Sequence, residues 1–218
     1  MYLKEVLSEL IERGVTSIPQ DINNALARSH SKEKNGVAKT QLSLIIRNIS
    51  LAKKNGVPLC QDTGIPVFYV RIGRRCTHIF DIERELSHAI IESTKKSLLR
   101  PNIVNPISRK NSGNNTGNGV PIMHYELFDG DYIKITYVPK GAGTENMGKL
   151  LILSPNDGED EIERHVLGHV RWMGGKPCPP YILGIGIGGT SERCMELAKM
   201  ASIKVNKQKE QRWEDCAL

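Results

Sequence analysis

The order of helical and β-rich patterns is the feature that most constrains the fold of this 218-residue chain. Through the first third of the sequence, apolar residues recur every three or four positions, which is typical of helices with one buried face. Gly56 follows the second of these patterns and predicts the end of that helix. The two apolar stripes consist of Leu3, Val6, Leu7, Leu10 and Ile11, and of Leu42, Ile45, Ile46, Ile49 and Ala52.

The middle of the chain alternates β-rich runs with one helical pattern. Residues 66–73 (PVFYVRIG) are rich in β-forming side chains and predict a strand. Residues 81–99 predict an amphipathic helix that Asp81 caps. Residues 120–138 predict a β-hairpin, because an Asp-Gly pair lies between two β-rich runs. The predicted buried side of the helix consists of Ile82, Leu86, Ala89, Ile90 and Leu98.

The last third of the chain carries two further pairs of patterns. Residues 149–155 predict a short strand, and residues 160–173 predict an amphipathic helix. Residues 180–189 predict a buried strand that leads into a glycine turn, and residues 190–204 predict the helix that follows. Helices and strands thus alternate irregularly. This order predicts an α/β or α+β fold, with N-terminal helices followed by a mixed β-sheet and packed helices.

Composition narrows the classes of function. The net charge of +6 is explained by solvated helix faces, although a modest positive field also attracts anions. No long basic run is interleaved with aromatic residues, which makes nucleic-acid binding the weaker alternative. The first 14 residues lack the apolar core of a signal peptide, and no apolar stretch approaches the ~18 residues of a membrane span. We therefore expect a cytoplasmic protein with reduced thiols.

Two of the five cysteines lie in stiff polar loops. Cys60 is followed by Gln61 and Asp62 within the proline-bracketed stretch GVPLCQDTGIPVFYV, and Cys178 lies in GGKPCPP. In a reducing compartment such a cysteine is more often a ligand or nucleophile than half of a disulfide. Spacing alone establishes no site, since the two are not a CxxC pair and either could be a small buried hydrophobe. The remaining cysteines, which fit core or incidental thiols, are Cys76, Cys194 and Cys216.

A glycine pattern in the last third offers a different function. Gly184, Gly186 and Gly189 satisfy G-x-G-x-x-G between a predicted strand and a predicted helix, which is typical of dinucleotide binding. The chain that follows is polar and does not predict the second strand, ending in an acidic residue, that such a site requires. A close turn between strand and helix therefore explains these glycines better.

Two other patterns leave alternatives open. His165 and His169 have the spacing of half a zinc-binding helix, but Val166 stands where a catalytic glutamate would be, which favours histidines on a helix face. Gly141 and Gly143 follow the β-rich run in KGAGTENMG. Their missing Cβ atoms would let the backbone approach a ligand, or would serve a turn.

Six separated motifs, taken in order, resemble one known family. They are PLCQDTGIPVF, LLRPNIVNP, NSGNNTGN, VPKGAGTENMGKL, GGKPCPPYILGIGIGGTSE and LAKMA. This set is similar to the α subunit of class I fumarate hydratase and tartrate dehydratase. The resemblance covers most of residues 1–204 and implies an N-terminal-type domain of class I fumarase there, followed by a polar tail at residues 205–218.

The resemblance implies a hydro-lyase with an iron–sulfur cofactor. In this family three cysteines hold a [4Fe–4S] cluster, whose fourth iron is an open Lewis acid for a small dicarboxylate such as fumarate, malate or tartrate. Cys60 and Cys178 match the first two cluster ligands. The family's third cysteine and an active-site histidine follow the GGTSE helix, and no motif around Cys216 matches them. The third ligand is therefore not identified in this chain.

The resemblance also implies roles for four other residues. Asp62 matches a residue that orients substrate or assists proton transfer, and Gln61 matches a residue beside the substrate. Arg100 matches an arginine that clamps a substrate carboxylate, for which a bidentate guanidinium is well suited. Gly143 matches a residue whose backbone N–H reaches the substrate. Composition alone favours a flexible linker at residues 100–119, whereas the resemblance implies that they border the site.

A β subunit is the implied partner, because in this family it carries the general base and the remaining substrate contacts. We therefore expect the chain alone to be inactive. Two alternatives stay open at this point. One is a relative that has lost the cluster and binds a partner, and the other is the dinucleotide-binding protein described above.

Overall fold

The structure is a computed structural model that describes residues 3–77 and 81–203. The chain divides into two compact units, which are residues 1–142 (unit 1) and residues 143–218 (unit 2). The predicted polar tail at residues 205–218 and Cys216 lie outside the described residues. The prediction of one family domain over residues 1–204 stays a prediction.

Four helices of unit 1 lie where the sequence predicts helical structure. Asn35 caps the start of α3 by accepting hydrogen bonds from the N–H groups of Val37 and Ala38. Gly56 ends α3 in the left-handed conformation, with a φ of 62°, as predicted. Asp81 occupies the predicted cap position of α4, but its side chain makes no capping hydrogen bond and instead pairs with Arg84. The helices are α1 (Leu3–Thr16), α2 (Gln20–Lys32), α3 (Gly36–Asn55) and α4 (Ile82–Lys95).

A three-stranded mixed sheet forms the rest of unit 1. The strands are β1 (Ile65–Gly73), β2 (Ile122–Phe128) and β3 (Ile133–Lys140). β1 lies in the centre, parallel to β2 and antiparallel to β3. The helices followed by a mixed sheet confirm the predicted α/β class.

The predicted hairpin of β2 and β3 is wrong, because these strands lie on opposite sides of β1. The turn between them crosses the end of β1, where Gly73 donates a backbone hydrogen bond to Tyr132 and Arg75 donates one to Gly130. A Cβ at Gly73 would lie 2.5 Å from the Gly130 carbonyl carbon, so only glycine admits this crossing. β1 has the most buried apolar sequence of the three, which favours the position with a neighbour on both edges.

The core of unit 1 forms where α1 and α4 pack against the sheet. Leu7 and Ile11 of α1 are fully buried as predicted, whereas Leu3 and Val6 of the same stripe are exposed. Tyr137 of β3 joins this core, and burial raises the pKa of its phenol because the charged form would lose its hydration. The buried cluster is made of Leu7, Ile11, Val15, Phe68, Val70, Ile72, Ile82, Leu86, Ala89, Ile90, Leu99 and Tyr137.

Unit 2 is helical in its described part. The helices are α5 (Ala142–Glu145), which crosses the unit boundary, α6 (Glu159–Met173) and α7 (Ser191–Ile203). The strands predicted at residues 149–155 and 180–189 are wrong, because these segments carry no strand pairing. A strand needs a neighbouring strand to satisfy its backbone groups, and none pairs with either segment among the described residues. Within residues 3–77 and 81–203, no helix is long and apolar enough to cross a membrane.

We expect Gly14→Ala to lower the free energy of unfolding of unit 1. Replacing a glycine in a helix with alanine normally stabilises the helix by about 1 kcal/mol. Here a Cβ would lie 2.6 Å from Cδ1 of the buried Tyr137 ring, so overpacking should reverse the sign and cost about 1–3 kcal/mol. The free energy of unfolding is measured by native-state hydrogen exchange of the β1 amides.

Gly36→Ala is the matched control. Gly36 also lies in a helix of unit 1, and a Cβ there would meet nothing within 4 Å. Its stability should be unchanged or slightly higher. A stabilising Gly14→Ala would show that the ring of Tyr137 yields at little cost.

Candidate active site

Asp62 is held by hydrogen bonds at both carboxylate oxygens, in the loop between α3 and β1. Its Oδ1 accepts from the backbone N–H of Gly64 at 3.0 Å and from Nδ2 of Asn102 at 3.3 Å. Its Oδ2 accepts from the backbone N–H of Ala142 at 2.9 Å. The side chain nevertheless remains exposed. This carboxylate is therefore fixed in position while a ligand can still reach it.

Two glycines allow the end of β3 to approach the Asp62 loop. Gly64 has a φ of +74°, and a Cβ there would lie 2.7 Å from backbone atoms of Lys140. A Cβ at Gly141 would lie 3.2 Å from Oδ2 of Asp62. Gly141 thus lies close to a side chain of the protein itself, the carboxylate of Asp62, and the alternatives of a ligand contact and a turn stay open.

The segment at residues 100–119 is tied to the rest of unit 1 by Asn115. This side chain is only 1% exposed, and its Oδ1 accepts from the N–H of Asn102 at 2.9 Å. Its Nδ2 donates to the carbonyl of Arg100 at 2.7 Å and to Oγ1 of Thr94 at 3.1 Å. The interpretation of residues 100–119 as a flexible linker is therefore wrong, because a buried amide joins the start of the segment to α4.

Arg100 and Gln61 lie beside each other next to Asp62. The backbone N–H of Arg100 donates to Oγ1 of the buried Thr63 at 3.0 Å, which fixes its backbone to the Asp62 loop. Nη1 of Arg100 donates to the carbonyl of Gln61 over a long 3.4 Å. Arg100 is exposed and forms no salt bridge within the described part of the chain. Its guanidinium is thus placed to receive an anionic ligand.

Cys60 lies on the same loop with an exposed side chain. Its Sγ accepts a hydrogen bond from the backbone N–H of Asp62 at 3.4 Å. Hydrogen bonds donated to the sulfur are one of the means by which proteins tune iron–sulfur ligands. Unit 1 therefore brings Cys60, Gln61, Asp62 and Arg100 into one neighbourhood.

Unit 2 places Gly143 next to Cys178. A Cβ built on Gly143 would lie 3.6 Å from Sγ of Cys178. Cys178 is exposed and has a φ of 59°, which is uncommon for a non-glycine residue. The described part of each unit thus presents one exposed thiol on a loop. Exposed thiols that no apolar packing covers fit the donor chemistry of a cluster ligand better than that of a core residue.

The described residues do not supply a complete ligand set for a cluster. Among residues 3–77 and 81–203, no group of three or more His, Cys, Asp or Glu side chains could hold a metal ion. Cys76 is half-buried against the core of unit 1, and Cys194 is half-buried and donates to the carbonyl of Gly186. These two thiols fit the expectation of small hydrophobic residues. Of the four described cysteines, only Cys60 in unit 1 and Cys178 in unit 2 are exposed.

The dinucleotide-binding prediction fails on its structural context. Among the described residues no strand leads directly into the glycine motif, and the glycines face helix α7 instead. A Cβ at Gly184 would lie 2.0 Å from the carbonyl oxygen of Ala198, and one at Gly186 would lie 2.1 Å from that of Cys194. These glycines thus let the segment pack directly on the backbone of helix α7.

The two histidines of α6 contact protein groups, as a helix-face interpretation predicts. Nε2 of His165 lies 3.2 Å from the carboxylate of Glu161. Nε2 of His169 lies 2.8 Å from the carbonyl of Met147, and its ring stacks on Trp172. Neither belongs to a metal-binding group in the described part of the chain.

Sequence reasoning missed three residues that hold the unit 1 site together. Thr63, Asn102 and Asn115 position Arg100 and Asp62 without standing out in the sequence. Asn115 has a φ of 59°, a conformation for which asparagine is enriched. The Asn-rich stretch NSGNNTGN carried that signal, since asparagine side chains there can bond to backbone groups.

Comparison with known proteins adds independent information. The family model described as fumarate hydratase (Fumerase) matches residues 4–217. A Methanocaldococcus jannaschii protein named "Putative L(+)-tartrate dehydratase subunit alpha" is 39% identical over 209 residues, which cover 94% of this chain and 73% of the relative.

Two other relatives span the same family. A Geobacillus stearothermophilus protein named "Putative fumarate hydratase class I" is 33% identical over 90% of this chain but only 40% of its own length. The L(+)-tartrate dehydratase subunit alpha of Escherichia coli K12 is 28% identical over 93% of this chain and 67% of its own length. This chain thus corresponds to part of each relative.

We expect Asn115→Ala to lower the free energy of unfolding of unit 1 by about 2–3 kcal/mol. The change leaves the N–H of Asn102 and the carbonyl of Arg100 without their buried partner. Asn115→Gly removes the same hydrogen bonds, but glycine adopts a φ of 59° without strain. Its free energy of unfolding should therefore fall slightly less than that of Asn115→Ala. Hydrogen exchange of the β1 amides measures both losses.

Asn55→Ala provides the control for these variants. Asn55 is an exposed residue at the end of α3, and its side chain makes no hydrogen bond within the described residues. Replacing it with alanine should therefore leave the free energy of unfolding almost unchanged. An Asn115→Ala variant as stable as Asn55→Ala would refute the structural role of the buried amide.

Proposed function

The chain belongs to the fumarate hydratase family, and we propose that it is the α-type subunit of a hydro-lyase that adds water to a small dicarboxylate or removes it. The substrate class is fumarate/malate or tartrate, as the names of the relatives indicate. The observation that carries the proposal is the neighbourhood of Cys60, Asp62 and Arg100 in unit 1. It combines a thiol, a fixed carboxylate and a guanidinium without a carboxylate partner.

We propose a [4Fe–4S] cluster as the cofactor, with Cys60 and Cys178 as two of its ligands. Both thiols are exposed, and Cys60 accepts an N–H hydrogen bond at its sulfur. The third ligand would come from outside residues 3–77 and 81–203. When bound, the cluster would supply a Lewis acid that makes hydroxide a better leaving group from the substrate.

The chain's own residues would bind and orient the dicarboxylate. The guanidinium of Arg100 has the geometry to bind one carboxylate through two parallel N–H groups. Asp62 would orient the substrate or assist proton transfer, because its carboxylate is already immobilised by neighbouring N–H groups. The side-chain amide of Gln61 and the backbone N–H of Gly143 would donate further hydrogen bonds to the substrate.

We also propose a β subunit as the partner and the cytoplasm as the location. The relatives named "subunit alpha" support a second kind of subunit. In support of a reducing compartment, the four cysteines of the described residues are all free thiols. The β subunit would carry the general base, which makes activity of this chain dependent on it.

We expect Cys60→Ser and Cys178→Ser each to abolish stable iron binding. A serine hydroxyl replaces the thiolate that iron prefers, so the remaining ligands would not retain the cluster. The measurement is the iron and sulfide content after anaerobic reconstitution of the chain coexpressed with its β subunit.

Cys194→Ser is the control for that experiment. Serine can still donate to the carbonyl of Gly186, and the half-buried position should keep its packing. Iron content should equal that of the unmodified chain. If the unmodified chain also binds almost no iron, the partner-binding relative without a cluster replaces the proposal.

We expect Arg100→Lys to raise the KM for the dicarboxylate about 10–100-fold. Lysine keeps the charge but loses the paired N–H groups, which removes about 1.5–3 kcal/mol of charge-assisted hydrogen bonding. Steady-state hydratase kinetics of the coexpressed complex measure the change.

Arg109→Lys in the same segment is the matched control for Arg100→Lys. Arg109 is exposed, and its side chain forms no salt bridge within the described residues. Its KM should stay unchanged. Equal KM values for the two lysine variants would contradict a carboxylate-binding role of Arg100.

A further inference from the structure

β2 is an edge strand of the unit 1 sheet. Among the described residues it pairs only with β1, in a parallel register that runs without a bulge from Ile122 to Phe128. Lysine and proline, which commonly protect such edges from pairing, do not occur in this strand. Tyr125 and Leu127 are 47% and 62% exposed. The outer edge of β2, which faces away from β1, can therefore accept a further strand.

The other edge of the sheet is protected in the usual way. β3 carries Lys134, Pro139 and Lys140. Because Gly73 donates its backbone N–H to the carbonyl of Tyr132, the even-numbered residues of β3 face β1. The missing N–H of Pro139 thus falls on the outer side, which is where a sheet tolerates proline. Of the two edges, that of β2 is the one suited to pairing.

A hydrogen bond at the end of β1 shows which β2 residues direct their backbone groups outward. The N–H of Arg74 donates to the carbonyl of Phe128 at 3.0 Å, so Phe128 faces β1. Alternate residues of a strand direct their groups to the same side, and the even-numbered residues of β2 therefore face β1. The N–H and C=O groups of Met123, Tyr125 and Leu127 point to the outer edge, where no strand of the described structure pairs with them.

The sequence of β2, IMHYELF, is complementary to itself when a second copy runs in the opposite direction. With Tyr125 at the centre, each opposed pair joins two apolar residues, two tyrosines, or an imidazole and a carboxylate. The pairs are Ile122 with Phe128, Met123 with Leu127, His124 with Glu126, and Tyr125 with itself. A centre at His124 or Glu126 would instead place two imidazoles or two carboxylates opposite each other, and like charges in that position are destabilising.

The same register matches the backbone groups and the faces of the sheet. It opposes the outward-directed residues to one another, as an antiparallel ladder requires. Met123 packs on the core, and Oη of Tyr125 donates to Glu83 of α4 at 3.0 Å, so both side chains lie on the helix side of the sheet. His124 and Glu126 lie on the other face, because successive side chains alternate. The imidazole of one copy and the carboxylate of the other therefore share a face.

We propose that β2 pairs with β2 of a second copy of this chain, antiparallel about a two-fold axis at Tyr125. The two three-stranded sheets join into one sheet of six strands. The contact uses the same surface of each copy, so every opposed pair of different residues occurs twice and the assembly closes at two chains. This proposal concerns assembly and does not depend on the catalytic proposal.

The first experiment measures the dimer dissociation constant of the full chain by sedimentation equilibrium. His124→Glu places a carboxylate opposite Glu126 at two positions of the dimer and should raise the Kd at least about tenfold. His124→Lys is the matched control. It loses the same ring stacking on Tyr69 but still attracts Glu126, so its Kd should stay close to that of the unmodified chain.

A second pair of variants tests the outer edge itself. Leu127→Lys places an ammonium group on the edge, opposite Met123 of the second copy, and should also raise the Kd at least about tenfold. Leu44→Lys is its control, because Leu44 is 53% exposed and lies on α3, and the Kd should not change. Since both leucines are exposed, neither change should disturb folding, which the thermal midpoint verifies.

A mixture of two cysteine variants tests the register. Opposed residues of a pair without backbone hydrogen bonds have Cα atoms about 4.5 Å apart, within the range of a disulfide. Oxidised glutathione should therefore cross-link His124→Cys chains to Glu126→Cys chains. Either variant alone should not cross-link at that position, because the two thiols are then displaced by two residues. Peptide mass spectrometry separates this bond from bonds of the exposed Cys60 and Cys178.

Several results would overturn this proposal. One is a chain that stays monomeric, and another is a dimer whose Kd is unaffected by His124→Glu and Leu127→Lys. Cross-linking of a single cysteine variant without cross-linking of the mixture would refute the register. A loss of β-subunit binding in His124→Glu, without any change in self-association, would assign the edge to that partner. Iron content and hydratase activity play no part in these measurements, so the catalytic proposal can fail while this one stands.

Discussion

The pairing of β1 with a strand on each side determines where the candidate active site of unit 1 forms. β1 runs parallel to β2 and antiparallel to β3, so its first residue, Ile65, lies opposite the last residue of β3, Lys140. The loop before β1 therefore meets the segment after β3. The contacts of Asp62 with Ala142 and of Gly64 with Lys140 both follow from this register.

Local patterns predicted the elements of unit 1 well but not their arrangement. The apolar stripes of α1 and α3, and Gly56 at the end of α3, indicate helices. Such patterns depend on residues only a few positions apart, so they can be read from the sequence. The pairing of β2 was missed because an Asp-Gly pair favours a hairpin locally. That β1 pairs with a strand on each side is a property of the whole sheet, which no local pattern reveals. The strands expected in unit 2 failed for a related reason, since a strand depends on a neighbour that no local pattern contains.

The site was predictable only in part for the same physical reason. The polar loop around Cys60 was conspicuous because a thiol stood next to an amide and a carboxylate between two prolines. The support from Asn102 and Asn115 was not predictable, because their hydrogen bonds join residues 13 to 40 positions apart. An asparagine in a polar stretch looks the same whether it is solvated or fully buried.

The register of β1 also bears on how the protein is made. β1 contains a run of five consecutive buried residues from Pro66 to Val70, and its partner β3 ends at Lys140. A ribosome releases β1 long before β3 exists, so this apolar strand emerges without either of its neighbours. Pairings between residues so distant in the chain also form slowly. The nascent chain thus passes through a period in which its most aggregation-prone strand is exposed, and chaperone binding at β1 would serve the newly synthesised protein best during that interval.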